Sequence, residues 1–153
     1  MGNNDQIASA LALLGGFVIV AVIIALVWVV LSIVANWKIF TKAGEEGWKA
    51  IIPYYNSFIT FKIGGNTMYF WIWLAVTVVG YILSYIGGGF VGILASLCSL
   101  AAFVLMVLRE YSLAKAFGKG IGFTVGLVLL NPIFRMILGF GSAEYQGVPE
   151  ANK

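Results

Sequence analysis

Charged side chains are sparse along this chain, and the long uncharged runs between them divide it into segments. Between Asp5 and Lys38 lie 32 uncharged residues, and between Lys62 and Arg109 lie 46. A bilayer core of ~30 Å needs about 20 apolar residues per helix. The first run therefore predicts one long helix over about 8–37, which must tilt or project. The second is too long for one helix and long enough for two. Gly87-Gly88-Gly89 lies near its middle, where a tight turn needs backbone free of Cβ strain. Helices over about 67–85 and 90–113 follow. Lys119 and Arg135 enclose a further 15 uncharged residues, and a fourth helix over 120–140 would carry Arg135 in its C-terminal half.

The run between Lys49 and Lys62 is too short to span. Read as a helix, the segment 45–62 places Lys49, Pro53, Asn56 and Thr60 on one stripe. Trp48, Ile52, Tyr55 and Ile59 fall on the opposite one. This predicts an amphipathic segment in the headgroup plane, with a re-entrant hairpin as the alternative. Trp37 at the end of the first helix, and Trp48 and Tyr55 in this segment, are the expected interfacial anchors. Basic residues near the ends of the first and third long helices suit the negative end of the helix dipole, and Gly44 and Gly118 suit the residue just past each end. The tail 142–153 is polar, contains Pro149, and is expected to be a solvated end. Residues 1–141 thus read as a single transmembrane domain. The expected fold is all-α and membrane-integral, with four transmembrane helices plus a cytoplasmic-side amphipathic or re-entrant segment.

Composition agrees with this class. The chain has 153 residues, 61% hydrophobic and 10% charged, with a mean hydropathy of +1.00. A soluble domain is about 45–50% apolar and about 25% charged. Soluble, disordered and collagen-like classes are excluded. One cysteine excludes an internal disulfide, and Cys98 reads as a small core residue. The absence of histidine removes most zinc, haem and His-based catalytic sites. No signal peptide is expected, because residues 1–10 carry no basic side chain and the apolar run outlasts a signal h-region.

Seven of the nine basic residues, Lys38, Lys42, Lys49, Lys62, Arg109, Lys115 and Lys119, lie near the end of the first or third helix or after it. The positive-inside bias then predicts a cytoplasmic 38–62 segment, with both termini outside.

Candidate chemistry is thin. Asn131 and Arg135 lie one turn apart, with Thr124 on the same predicted face, and with Asn56 they form the candidate polar face. An intramembrane charge often marks a site, although Arg135 could instead snorkel to the outer headgroups. Gly88, Gly92 and Ser96 recur every four residues, as do Gly122 and Gly126, and small residues let helices approach closely. Ser57 with Lys62 and Ser112 with Lys115 form no recognisable nucleophile pair. No catalytic residue, metal site, cofactor or nucleic-acid partner is expected. A weak similarity at an offset of 75 residues (Gly47 on Gly122, Asn56 on Asn131, Gly64 on Gly139) raises an internal duplication, which three identities do not establish.

The run Trp37-Lys38-Ile39-Phe40-Thr41-Lys42-Ala43-Gly44-Glu45-Glu46-Gly47-Trp48-Lys49-Ala50-Ile51-Ile52-Pro53-Tyr54-Tyr55-Asn56 resembles the signature of a family of small bacterial integral membrane proteins of unknown function. The stretch 114–147 is similar to the same family. The resemblance implies a bacterial inner membrane and supplies neither substrate nor site. A signal-peptidase activity sometimes ascribed to such proteins does not carry over, because that enzyme's Ser and Lys motifs have no recognisable form here. The expected function is non-enzymatic: a scaffold, assembly or accessory subunit acting in the bilayer through self-association or contact with another membrane protein. The alternatives are a small transporter or channel using the Asn56 and Asn131/Arg135 faces, and protection against a membrane-active peptide.

Overall fold

The computed structural model describes residues 2–149. Among them all regular secondary structure is helical, with no strand. The helices are α1 (Gly2–Lys42), α2 (Tyr55–Ile63), α3 (Thr67–Ile86), α4 (Gly89–Ala116), α5 (Ile121–Leu129) and α6 (Asn131–Phe140), and a 3-10 turn spans Gly47–Ala50. Three of the helices, α1, α3 and α4, are long and apolar enough to cross a membrane.

The 41 residues of α1 measure about 60 Å at 1.5 Å per residue, twice the ~30 Å hydrocarbon core. Every residue from 4 to 31 is exposed. Burial begins only with Ala35, Ile39 and Phe40, which share one side of the last turns. The helix closes in a Schellman motif. Gly44 has φ +78°, Glu45 N–H bonds Phe40 O at 2.9 Å, and Gly44 N–H bonds Thr41 O at 3.1 Å. Gly118 ends α4 the same way, with Lys119 N–H on Ala114 O at 2.8 Å.

α3 and α4 form a hairpin turned by Gly87 and Gly88, both at positive φ. Midway along it Gly80 faces Cys98 so closely that an added Cβ would lie 2.9 Å from the Cys98 side chain. Below the hairpin, α1, α2, α4 and α6 converge on a core of Ile39, Phe40, Ile59, Leu113, Phe117 and Leu138. This base is the compact part of the molecule.

The expected fourth helix over 120–140 is corrected. It breaks at Leu130 (φ −126°, ψ 48°) into α5 and α6, of nine and ten residues. Each is about 14–15 Å long, half a bilayer core. The rings of Phe123 and Phe134 pack at 5.1 Å, whereas eleven residues along a straight helix would separate them by about 16 Å. The chain therefore folds back, and Gly126 makes room for the Phe134 ring. The cause is local. Pro132 lacks an N–H and disfavours helical geometry just before it. Asn131 Nδ2 then donates to Leu127 O at 3.0 Å, supplying a carbonyl near the break with a donor.

Segment 45–62 is not one helix either. Pro53 and Tyr54 separate the 3-10 turn from α2. Tyr54 lies at φ +62° and ψ −44°, and Tyr55 N–H bonds Pro53 O at 2.7 Å, which makes a strained three-residue turn. Ile59 and Thr60, assigned to opposite stripes, are both buried.

The tail is packed rather than solvated. Tyr145 Oη donates to Ile63 O at 3.1 Å, its ring meets Phe117 at 5.6 Å, and Gln146 N–H bonds Ala116 O at 2.7 Å. This places the tail at the Lys42 end of α1, about 60 Å from Gly2. Among the described residues, then, the tail lies at the opposite end of α1 from Gly2. Met1 and 150–153 lie outside those residues.

Candidate functional site

Glu110 lies just past the 46-residue uncharged run, where α4 carries it into the base. Its side chain is 0% exposed. Oε1 accepts from Arg109 Nη2 at 2.6 Å and Nε at 3.1 Å, and from Arg135 Nη2 at 2.8 Å. Arg135 Nη1 donates to Asn36 Oδ1 at 2.6 Å, and Arg109 Nη1 to Ser57 Oγ at 3.2 Å. One carboxylate thus gathers α1, α2, α4 and α6. Glu110 Oε2 and Arg135 Nε have no hydrogen-bond partner. With two guanidinium groups and one carboxylate, the cluster carries one net positive charge. Burying it costs desolvation, which close geometry must offset.

A second cluster braces the loop after α1. Glu45 pairs with Lys49 at 2.8 Å and with Lys62 at 2.6 Å. Burial alone would raise the Glu45 carboxyl above its ordinary value. Hydrogen bonds from Lys49 and Lys62, with their charges, outweigh that and hold it below. Lys49 is raised by the same bond to Glu45. Burial, and then the charge of Glu45, push the Tyr145 phenol up.

The structure distributes the residues singled out from sequence. Arg135 does not snorkel; it is buried in the ion cluster. Asn131 bonds within the α5–α6 break. Thr124 lies on α5, a different helix from Arg135, 3.5 Å from Gly120 O. Asn56 Nδ2 donates to Ala50 O at 3.1 Å and its carbonyl accepts from Thr60, so it ties α2 to the 3-10 turn. The single face expected for Thr124, Asn131 and Arg135 does not form, because the helix that would have carried it is broken.

Of the small residues, Gly126 packs within the α5–α6 hairpin, while an added Cβ at Gly88, Gly92 or Gly122 would meet open space. Ser96 bonds its own helix at Gly92 O. Trp37 packs over Gly47, and Trp48 stacks on Tyr55 at 6.3 Å. All three anchors remain partly exposed.

Sequence reasoning missed Glu110, Arg109, Asn36 and Ser57 as partners. One signal was available: Glu110 is the only acidic residue between Glu46 and Glu144, so a buried Arg135 had few carboxylates to meet. Among the described residues, no group of three or more His, Cys, Asp or Glu could hold a metal.

The model of a family of unknown function, DUF5684, matches residues 48–148. No curated protein and no solved structure shows significant similarity to the chain.

Proposed function

The chain belongs to DUF5684, a family that brings no activity with it, and from its architecture we propose a non-enzymatic assembly or accessory subunit of the bacterial inner membrane. The observation that carries this reading is α1. Its apolar residues are exposed over the whole of 4–31, while its last turns are fixed in a packed base. A helix apolar all round must be covered on every side. Lipid covers part of it, and a neighbouring helix from a second copy or another membrane protein covers the rest. The base, braced by two ion clusters, holds α1 at a set angle for that contact.

Single cysteines at 15–24 in a Cys98→Ser background, oxidised in native membranes, test the proposal. Crosslinking that recurs every three to four positions, to a second copy or to one copurifying protein, supports it. No crosslink at any of these positions sinks it.

A transport reading draws on one feature, the buried Arg109–Glu110–Arg135 cluster, because ionisable groups within membrane helices often mark pathways. Liposome flux that disappears in Glu110→Gln while the protein stays folded would favour it over assembly.

A further inference from the structure

The last turns of α1 and the end of α6 border an open hollow of about 490 Å³ lined by Trp37, Lys38, Thr41, Lys42 and Phe140 together with two glycines of α6 and its C-cap. Two of these side chains are cations one turn apart on α1. Like charges at that spacing repel. Among the described residues neither takes part in an ion pair. Lys38 is exposed, with its ammonium 4.8 Å from the Phe140 ring centroid. Lys42 is held in place, because its ammonium donates to Leu138 O at 2.9 Å and Gly141 O at 2.7 Å. Those carbonyls orient the charge without neutralising it, and a third N–H remains. Glu144 lines an adjoining hollow with Lys42, where its carboxylate offsets part of the Lys42 charge, but it does not line this one.

The position selects the kind of anion. Lys38 closes the 32-residue uncharged run, and Trp37 is half-exposed beside it, as indoles are at a membrane boundary. Val34 lies one turn before Lys38 on α1, Ile133 and Ile137 lie on the same side of α6 as Phe140, and all three are exposed apolar residues. A soluble anion would leave those side chains uncovered, whereas a lipid would place its chains along them. Basic pockets between helices at a cytoplasmic surface suit anionic headgroups.

We propose that the hollow between the ends of α1 and α6 binds the phosphoryl headgroup of an anionic phospholipid through Lys38 and Lys42, with the acyl chains along the exposed sides of both helices. This goes beyond the assembly reading and does not depend on it. The site would fix α1 relative to the base in one leaflet only.

The test uses the full chain in mild detergent doped with phosphatidylglycerol or phosphatidylcholine, with retained lipid counted by native mass spectrometry. Phosphatidylglycerol should be retained in preference. Lys38→Gln should lower its occupancy about fivefold, and Lys38→Arg should restore most of it. Lys115→Gln, which removes the same charge from an exposed position in the last turn of α4, should leave it unchanged. Lys42 is a poor first variant, because it also caps α6. Equal retention of the two lipids would overturn the proposal, as would equal losses in Lys38→Gln and Lys115→Gln. Displacement of the lipid by millimolar inorganic phosphate would overturn the assignment to a lipid. None of these results bears on α1 crosslinking, so the two readings fail separately.

Discussion

Arg135 Nη2 donates to Glu110 Oε1 across 2.8 Å, joining α6 to α4 in the interior of the base. Arg109 bonds the same oxygen, so the partners are not equivalent. Glu110→Gln would leave two guanidinium groups facing each other without an anion. Arg135→Met would leave a neutral Arg109–Glu110 pair. Removing one partner of a buried pair costs about 3–5 kcal/mol when it strands a charge. Glu110→Gln should reach that range, and Arg135→Met should cost about half as much. Thermal unfolding in detergent gives the ranking; a lower Tm for Arg135→Met than for Glu110→Gln would mean that the carboxylate is not the hub.

The α5–α6 hairpin depends on Gly126, where the Phe134 ring occupies the space a side chain would need. Gly126→Leu should open the hairpin at a cost of about 1–3 kcal/mol from overpacking. Gly92→Leu, which meets nothing within 4 Å, should leave monomer stability within about 0.5 kcal/mol. Equal losses of Tm in the two variants would contradict the fold-back.

The three long helices were legible in the sequence because an uncharged run is a property of the chain itself, set by Asp5, Lys38, Lys62 and Arg109. The turn at Gly87 and Gly88 was legible for the same local reason, as were the ends at Gly44 and Gly118. The break at Leu130 was not. Pro132 signalled it, but a largely apolar stretch over 120–140, long enough to span if Arg135 is accepted within it, outweighed one proline. The snorkelling alternative for Arg135 depended on that straight helix, and it failed when α6 turned back against α1 and α4. Its partners were out of reach because Glu110 and Asn36 lie 25 and 99 residues away in sequence. Nor does hydropathy reveal that the polar tail packs under Ile63 and Ala116.

Acid should loosen the loop after α1. The Glu45 carboxyl is held below its ordinary value by Lys49 and Lys62 against the opposing effect of burial. A group whose folded value is depressed contributes stability that is fully present above its unfolded value, about 4.3 for Glu. That contribution is lost as pH falls through the folded value. Lowering the pH from 6 to below about 4 should therefore reduce Tm more in the wild type than in Glu45→Gln, which has no carboxylate to protonate. Parallel pH profiles for the two proteins would remove Glu45 from the account.

The fold-back also decides where the tail lies. A single span over 120–140 would carry the tail to the side of the N-terminus. A hairpin returns it to the end of α4, where Gln146 bonds Ala116 and Lys42 bonds Gly141. With the basic residues inside, single cysteines at Glu46 and Glu144 should share the cytoplasmic side, and one at Ala8 should lie outside. An impermeant thiol reagent on intact cells in a Cys98→Ser background should label Ala8→Cys alone, and permeabilisation should add the other two. Labelling of Glu46→Cys and Glu144→Cys but not Ala8→Cys in intact cells would keep the fold and reverse its orientation. Labelling of Ala8→Cys and Glu144→Cys together would mean that 120–140 crosses the membrane once, and the contacts of Gly126 with Phe134 and of Arg135 with Glu110 could not both survive that.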